Sequence, residues 1–373
     1  MSTLETNAIG KYSGNNVSVD DALNLKSYST SARDALTSVA GDIIYNSDDS
    51  AVQVYDGTNW VALGAITQGA AITIDYLVIA GGGGGGEHGS RGAGGGGAGG
   101  AANSYNSETC GRFARSHSSL SLYKNLRYGV SIGAGGAGGT QANVMPFHGH
   151  GSTFHSVSVP GGSPGSDGHA NGGRSHYGGS GGGGGGGANH QSGTYGRGNE
   201  TYGFDGGNGQ SFGTNNWQGG GGGSIATNGG GAVSGRGGNG GAGKIFTILS
   251  SSNATTSSVG EVSGTDVYYG GGGGGSGYSS TSVSSGGLGG GADGNVSSAN
   301  EALNQGSPNT GGGGGAKGAG SATNAGSGGS GVVILRYPNS ATMLSTGLTT
   351  QTFTEGTDKV TVITAGAGTV YWE

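Results

Sequence analysis

Histidine is the residue type whose clustering could do chemistry here, because six of the eight lie between His148 and His190. His148-Gly149-His150 is a His-x-His step, and on an extended strand residues two apart share a face, so both imidazoles could meet one metal ion. His155 follows close behind. Neither a carboxylate nor a Cys stands beside them to complete a ligand set, and exposed loop histidines are the plainer reading. Catalysis finds less. Cys110 precedes His117 in a polar loop that offers no third group to orient a base. Glu87, His88 and Glu108 are isolated. Gly238 to Gly243 followed by Lys244 fits G-x-x-x-x-G-K, but Ile245 stands where Ser or Thr must reach magnesium, and no strand-to-helix context surrounds it. The chain is not expected to be an enzyme, and no cofactor is implied beyond that metal ion.

Binding chemistry is better represented. Between glycine runs lie loops built from Tyr, Ser, Asn, Gly and His: Tyr195-Gly196-Arg197 leading to Tyr202-Gly203-Phe204, then Phe212 to Gln218 around Trp217, then Gly277-Tyr278. Rigid aromatics beside small adaptable polar residues make up recognition surfaces. Tyr195, Arg197, Tyr202, Phe204, Trp217 and Tyr278 are therefore the candidate binding residues. The plainer alternative is that these rings fold back as lids on the glycine-rich scaffold.

The elements that must position them are unusual. Glycine supplies 97 of 373 residues, with 31% hydrophobic and 10% charged. An apolar core for the whole length is out of reach, and each ordered glycine loses more backbone freedom than any other residue. Either the interior stays disordered or its backbone groups bond to one another. Fifteen Lys and Arg against 21 Asp and Glu give a net charge of −6, scattered without a basic cluster. That argues against nucleic acid or an anionic membrane as partner. A single cysteine excludes an intrachain disulfide framework, and no apolar stretch approaches the length of a membrane span.

The chain begins with a polar stretch, 1–40, carrying short helical turns at Ser18 to Leu25 and Ser31 to Leu36. Residues 41–66 read as a small β-meander with turns at Ser47 to Ser50 and Asp56-Gly57, Trp60 anchoring a miniature core. Residues 67–338 form the glycine-rich body. It is bracketed by two apolar strands, Ile74 to Ile79 running into Gly81 to Gly86, and Gly331 running into Val332 to Tyr337. Both are apolar without clean alternation, which predicts burial on both faces. Further glycine runs lie at 94–97, 181–187, 219–223, 270–275 and 311–315. Strand-like pieces separate them at Leu120 to Ile132, Phe154 to Val159, Lys244 to Leu249 and Thr265 to Tyr269. Glycine segments with three residues per turn and no internal hydrogen bonds can pack side by side and bond to one another. The expected fold is thus mostly β and polyglycine-II: a short amino-terminal helix and β-meander, packed glycine helices held between bracket strands, and a carboxy-terminal β-hairpin at 339–373.

The series Tyr76 to Gly86, Tyr128 to Gly139, Val267 to Gly275 and Gly331 to Tyr337 resembles the glycine-rich domain of bacteriophage tail fibre and tail adhesin proteins. The stretch Ala32 to Leu36, Gly41 to Asn46 and Tyr55 to Val61 is similar to a short module near the start of phage virion fibres. This resemblance implies a virion appendage protein, a tail fibre or tail-tip adhesin. Its amino-terminal part would join other tail or baseplate proteins. It would form a homotrimer; trimeric phage fibres can hold a metal ion between His-x-His steps on their axis, which would be His148 and His150 here, although this family does not require it. The aromatic loops would face a host receptor, a polysaccharide or outer-membrane protein. A purely structural virion spacer, and a bacterial extracellular fibre or matrix subunit, are the alternatives.

Overall fold

The computed structural model describes residues 25–63, 70–140, 145–168, 178–184, 196–214, 216–278, 282–294, 304–318 and 324–373. Of the helical turn expected from Ser18, only Leu25 is among them, and Tyr195 lies outside. The chain divides into two compact units, Met1–Gln68 and Gly69–Glu373.

In the first unit, β1 (Ser27–Tyr28) pairs parallel with β2 (Ile43–Asn46), and β3 (Ala51–Tyr55) and β4 (Trp60–Ala62) continue the sheet antiparallel. The short helix α1 (Thr30–Asp34) starts where the Ser29 hydroxyl accepts the Ala32 N–H. At the Asp56-Gly57 turn Gly57 has φ +102°, which glycine adopts freely. The Asn59 and Thr58 amides both reach the Asp56 carboxylate at 2.7 Å and hold its pKa below the usual range. Trp60 is only half-buried, its ring 5.4 Å from that of Tyr55. The centre is polar instead. Asn46, fully buried, donates to Thr30, Asp49 and Gln53, and the Arg33 guanidinium donates to the same Gln53 carbonyl. With little apolar surface to bury, order comes from polar groups that satisfy one another.

The second unit is built on a nine-stranded sheet. The first bracket strand is β5 (Ala71–Ile79), followed by β6 (Ala101–Asn103), β7 (Leu120–Tyr123), β8 (Tyr128–Ser131), β9 (Ser152–Phe154) and β10 (Val157–Val159). Two short ladders follow. They are β11 (Gln210–Ser211) with β12 (Trp217–Gln218), and β13 (Lys244–Ile245) with β14 (Glu261–Ser263) and β15 (Asp266–Tyr269). The second bracket is β16 (Val332–Pro338), and the hairpin β17 (Met343–Glu355) and β18 (Asp358–Trp372) closes the chain. The main sheet runs β10-β9-β8-β18-β16-β5-β6, with β7 beside β5 and β17 beside β18. The brackets are direct antiparallel neighbours, from Val332 opposite Ile79 to Arg336 opposite Asp75.

Burial on both bracket faces follows from the pleat. Ile74, Tyr76 and Val78 join Val333, Leu335 and Tyr337 in one apolar cluster; Leu77 and Ile79 join Val332 and Ile334 in another, with Ile225, Phe246 and Ile248. The carboxy-terminal hairpin belongs to the same core. Its strand β18 lies between β8 and β16, and Ile363, Val370 and Trp372 are fully buried in the first cluster.

Several expected strands are shorter or broken. Leu120 to Ile132 divides into β7 and β8, with Asn125 at φ +64° between them. Phe154 to Val159 turns at His155, φ +50°, into the β9–β10 hairpin. Lys244 to Leu249 is a strand only at its start and leads to a helix, α2 (Ser251–Ser257). Its sequence SSNATTS carries one buried residue, Ala254, so no apolar period announces it. What holds α2 comes from the far end of the chain: Glu355 accepts the Ser250 N–H at 2.9 Å and the Asn253 amide at 2.8 Å. Arg336 ties the same Glu355 at 3.1 Å and Asp358 at 2.8 Å, its guanidinium over the Tyr105 ring.

Between the brackets the glycine segments are neither helix nor strand, and their hydrogen bonds recur every third residue. The N–H groups of Gly81 and Gly84 donate to His150 and Phe147, those of Gly82 and Gly85 to Gly329 and Gly326, and those of Gly83 and Gly86 to Gly97 and Gly94. Their carbonyls repeat the rule: Gly81 and Gly84 accept from Gly162 and Gly165, Gly82 and Gly85 from Gly136 and Gly139, Gly83 and Gly86 from Gly314 and Lys317. One run therefore bonds to six neighbouring segments. The run at 270–276 does the same, Gly271 and Gly274 reaching Gly289 and Ala292, Gly272 and Gly275 reaching Gly241 and Gly238.

Two expectations follow. A Cβ on Gly84 would collide with the Ala137 carbonyl, whereas one on Gly89 meets nothing within 4 Å. Gly84→Ala is expected to cost about 3 kcal/mol and Gly89→Ala less than about 1, read by denaturant melts. The second concerns acid. Burial acts to raise the Glu355 carboxyl, but Ser250, Asn253 and Arg336 outweigh it and hold the pKa below the ordinary 4.5. A depressed folded pKa gives stability that is complete above the unfolded value and is lost as pH falls through the folded one. Melting temperatures recorded downward from neutral pH should fall less steeply below about 4.5 in Glu355→Gln than in the parent.

Candidate binding surface

The bonded glycine segments have two ends. At the near end, against the sheet, Ala80 bonds Gly100 and Gly270 bonds Thr310; at the far end Gly86 bonds Gly94, Gly95 bonds Gly220, and Ser276 bonds Ala93. The chain reverses at the far end through loops such as 87–93, where side chains find room that the interior denies them.

Trp217 and Tyr278 meet at this far end. Their rings are 5.1 Å apart at 70°, an edge-on pair, and the Tyr278 N–H donates to the Trp217 carbonyl at 2.9 Å. Arg91, from the 87–93 turn, places its guanidinium 5.7 Å from the Trp217 ring and donates to the Gly168 carbonyl. Beneath them Gln218 is buried, its amide held by Asn216.

Tyr202 and Phe204 lie elsewhere. The Asn199 turn carries Tyr202 over Gly100 and Pro160 at the near end, where its half-buried ring packs on the first apolar cluster. Phe204 is half-buried with the Arg112 guanidinium 5.9 Å from its ring. Arg112 also pairs with Asp205 at 2.7 Å and Glu200 at 3.4 Å, joining two loops 93 residues apart. Arg197 is exposed between the buried Gly196 and Gly198. The candidate residues thus form a far-end pair and a near-end pair, and each pair has an arginine that sequence reading missed. A cation near an aromatic ring is a contact of the fold, and no spacing in the chain announces it.

His148 and His150 are exposed. Their segment belongs to the glycine array and is not a β-strand: Phe147 and His150 donate to Ala137 and Ala134, three apart in each chain segment. His155 instead lies edge-on to Tyr128 at 5.1 Å. Among the described residues no group of three or more His, Cys, Asp or Glu is placed to hold a metal ion. Cys110 is buried, its thiol donating to the Ala101 carbonyl, and burial pushes its pKa up to about 11, which suppresses the thiolate. Lys244 begins β13 and not a helix, which removes the phosphate-loop geometry.

The family model of the glycine-rich domain matches residues 61–338, the bracket strands and all that lies between them. The chain belongs to that family. No curated protein and no solved structure matches it. Within the glycine-rich domain, Arg112 is the point where loop geometry can be probed. Arg112→Ala is expected to cost about 1 kcal/mol, as partly exposed ion pairs do. It should also speed amide exchange at Gly198, whose N–H rests on Asp205, while leaving Gly83 unchanged.

Proposed function

We propose that this chain is a phage tail fibre or tail-tip adhesin, attached to the particle through its first unit, that presents loops of its glycine-rich domain to a host-cell receptor. The observation that carries this reading is the partition of the second unit. Backbone hydrogen bonds occupy the interior, and the aromatic and cationic side chains of Arg91, Trp217 and Tyr278 collect where the segments end. The glycine segments are read as polyglycine-II helices. Support comes from partners that recur every third residue, six neighbours to one run, and, among the described residues, the absence of strand pairing within the runs. On this reading the protein is a non-enzymatic, homotrimeric virion component whose several copies give avidity to a modest single-site affinity.

A structural spacer is the second reading, favoured by one specific observation: Tyr202 and Phe204 pack on their own chain. Cell binding separates the two. The purified full-length protein is expected to bind a host that adsorbs the parent particle saturably, and Trp217→Ala with Tyr278→Ala should reduce bound protein at least about tenfold without loss of fold. Absence of binding by the folded parent protein would leave the spacer as the better account.

A further inference from the structure

The nine-stranded sheet curls until its two edge strands approach one another, and they do not pair. β10 lies against β5 and β6, yet the order of the sheet leaves β10 and β6 as its opposite ends. One bond pins the seam, from the Gly100 N–H to the Pro160 carbonyl at 2.9 Å. Beyond that pin the seam opens into a cavity of about 530 Å³. Its walls include Tyr76 from β5, His117 and Ser118 from the loop before β7, Ser156 and Ser158 from the β9–β10 hairpin, and Tyr202 from the glycine-rich domain.

We infer that this seam is a binding site for a neutral sugar ring. The volume is that of a small-molecule site, and its composition fits one ligand class. Tyr202, half-buried, offers ring surface, with Leu120 and Val157 beside it, for the apolar face of a pyranose, and the buried Tyr76 closes the floor. Three serine hydroxyls, each donor and acceptor, suit a ligand whose own groups are hydroxyls. Among the described residues the lining holds no carboxylate, lysine or arginine, so nothing there would neutralise a phosphate or an acidic sugar. His117 lines the wall with its Nε2 atom buried and without a hydrogen-bond partner. Burial lowers the pKa of this imidazole and so favours its neutral form, in keeping with an uncharged ligand.

This assignment deepens the adhesin reading and rests on it only for the origin of the sugar, a host-surface polysaccharide. The test therefore uses isolated sugars and no cells. Methyl glycosides of glucose, galactose, mannose and N-acetylglucosamine, and of N-acetylneuraminic acid as the charged control, are titrated into the full chain. Binding is read by calorimetry and by saturation-transfer NMR. At least one neutral glycoside is expected to bind saturably, and Tyr202→Ala should weaken it about tenfold or more. Ser158→Phe, an exposed edge position that would fill the cavity, should abolish binding in a chain that melts like the parent. No neutral glycoside bound by the folded protein, preference for the charged control, or binding that survives Ser158→Phe would each overturn the site, whatever the outcome on cells.

Discussion

Close approach of one backbone to another, possible only where no Cβ intervenes, is the constraint on which the second unit depends. Along Gly81 to Gly86 every added Cβ would strike a neighbouring carbonyl, and the struck residue advances by three: Ala134 then Ala137, Gly312 then Gly315, Ser163 then Ser166. The same spacing governs the hydrogen bonds, so one geometry accounts for both the need for glycine and the order of the partners. Fixing a residue's backbone costs about 1–2 kcal/mol, most for glycine, and a net backbone hydrogen bond returns about 1. The glycine array is therefore not self-sufficient, and the apolar clusters on either face of the bracket strands must supply the remainder.

The junctions between sheet and array show how the two are joined. Tyr269 ends β15 fully buried, and Gly270 follows at φ +67°; Thr310 is buried and Gly311 follows at φ +73°. A left-handed residue turns the chain from the sheet end into its bonded line, and at Gly270 a Cβ would also strike Ile225. Glu355 and Arg336 then couple the last hairpin to α2, so the carboxy-terminal strands hold the closing bracket and a helix that has little apolar surface of its own.

The brackets were legible because an apolar, β-branched run of six or seven residues without alternation is a strand buried on both faces wherever it stands. The Asp56-Gly57 turn was legible because its chemistry is local. Less visible were features made by distant parts of the chain. Nothing in SSNATTS indicates that Glu355 will receive its amide, and nothing near Asn46 indicates that Arg33 and Gln53 will build a polar centre where Trp60 was expected to anchor an apolar one. The histidine pair was read on a strand period of two, whereas its segment bonds to its neighbour every third residue. The aromatic loops were found by composition, but their division into two pairs follows from where each segment sits along the array.

That division bears on where chemistry can reside. At the glycines of the array an added Cβ would strike a neighbouring backbone, so the large side chains collect at the far-end turns, the outer segments and the margins of the sheet. The far end gathers Arg91 and Tyr278 from turns and Trp217 from the start of β12. The seam between β6 and β10 is different. Tyr76, Ala102, Val157 and Ser158 of its wall stand on strands of the main sheet, beside loop residues His117, Ser118 and Tyr202, so part of its shape is fixed by the packing that stabilises the unit. The far-end surface is held by turns outside the core, whereas the shape of the seam follows the curl of the sheet.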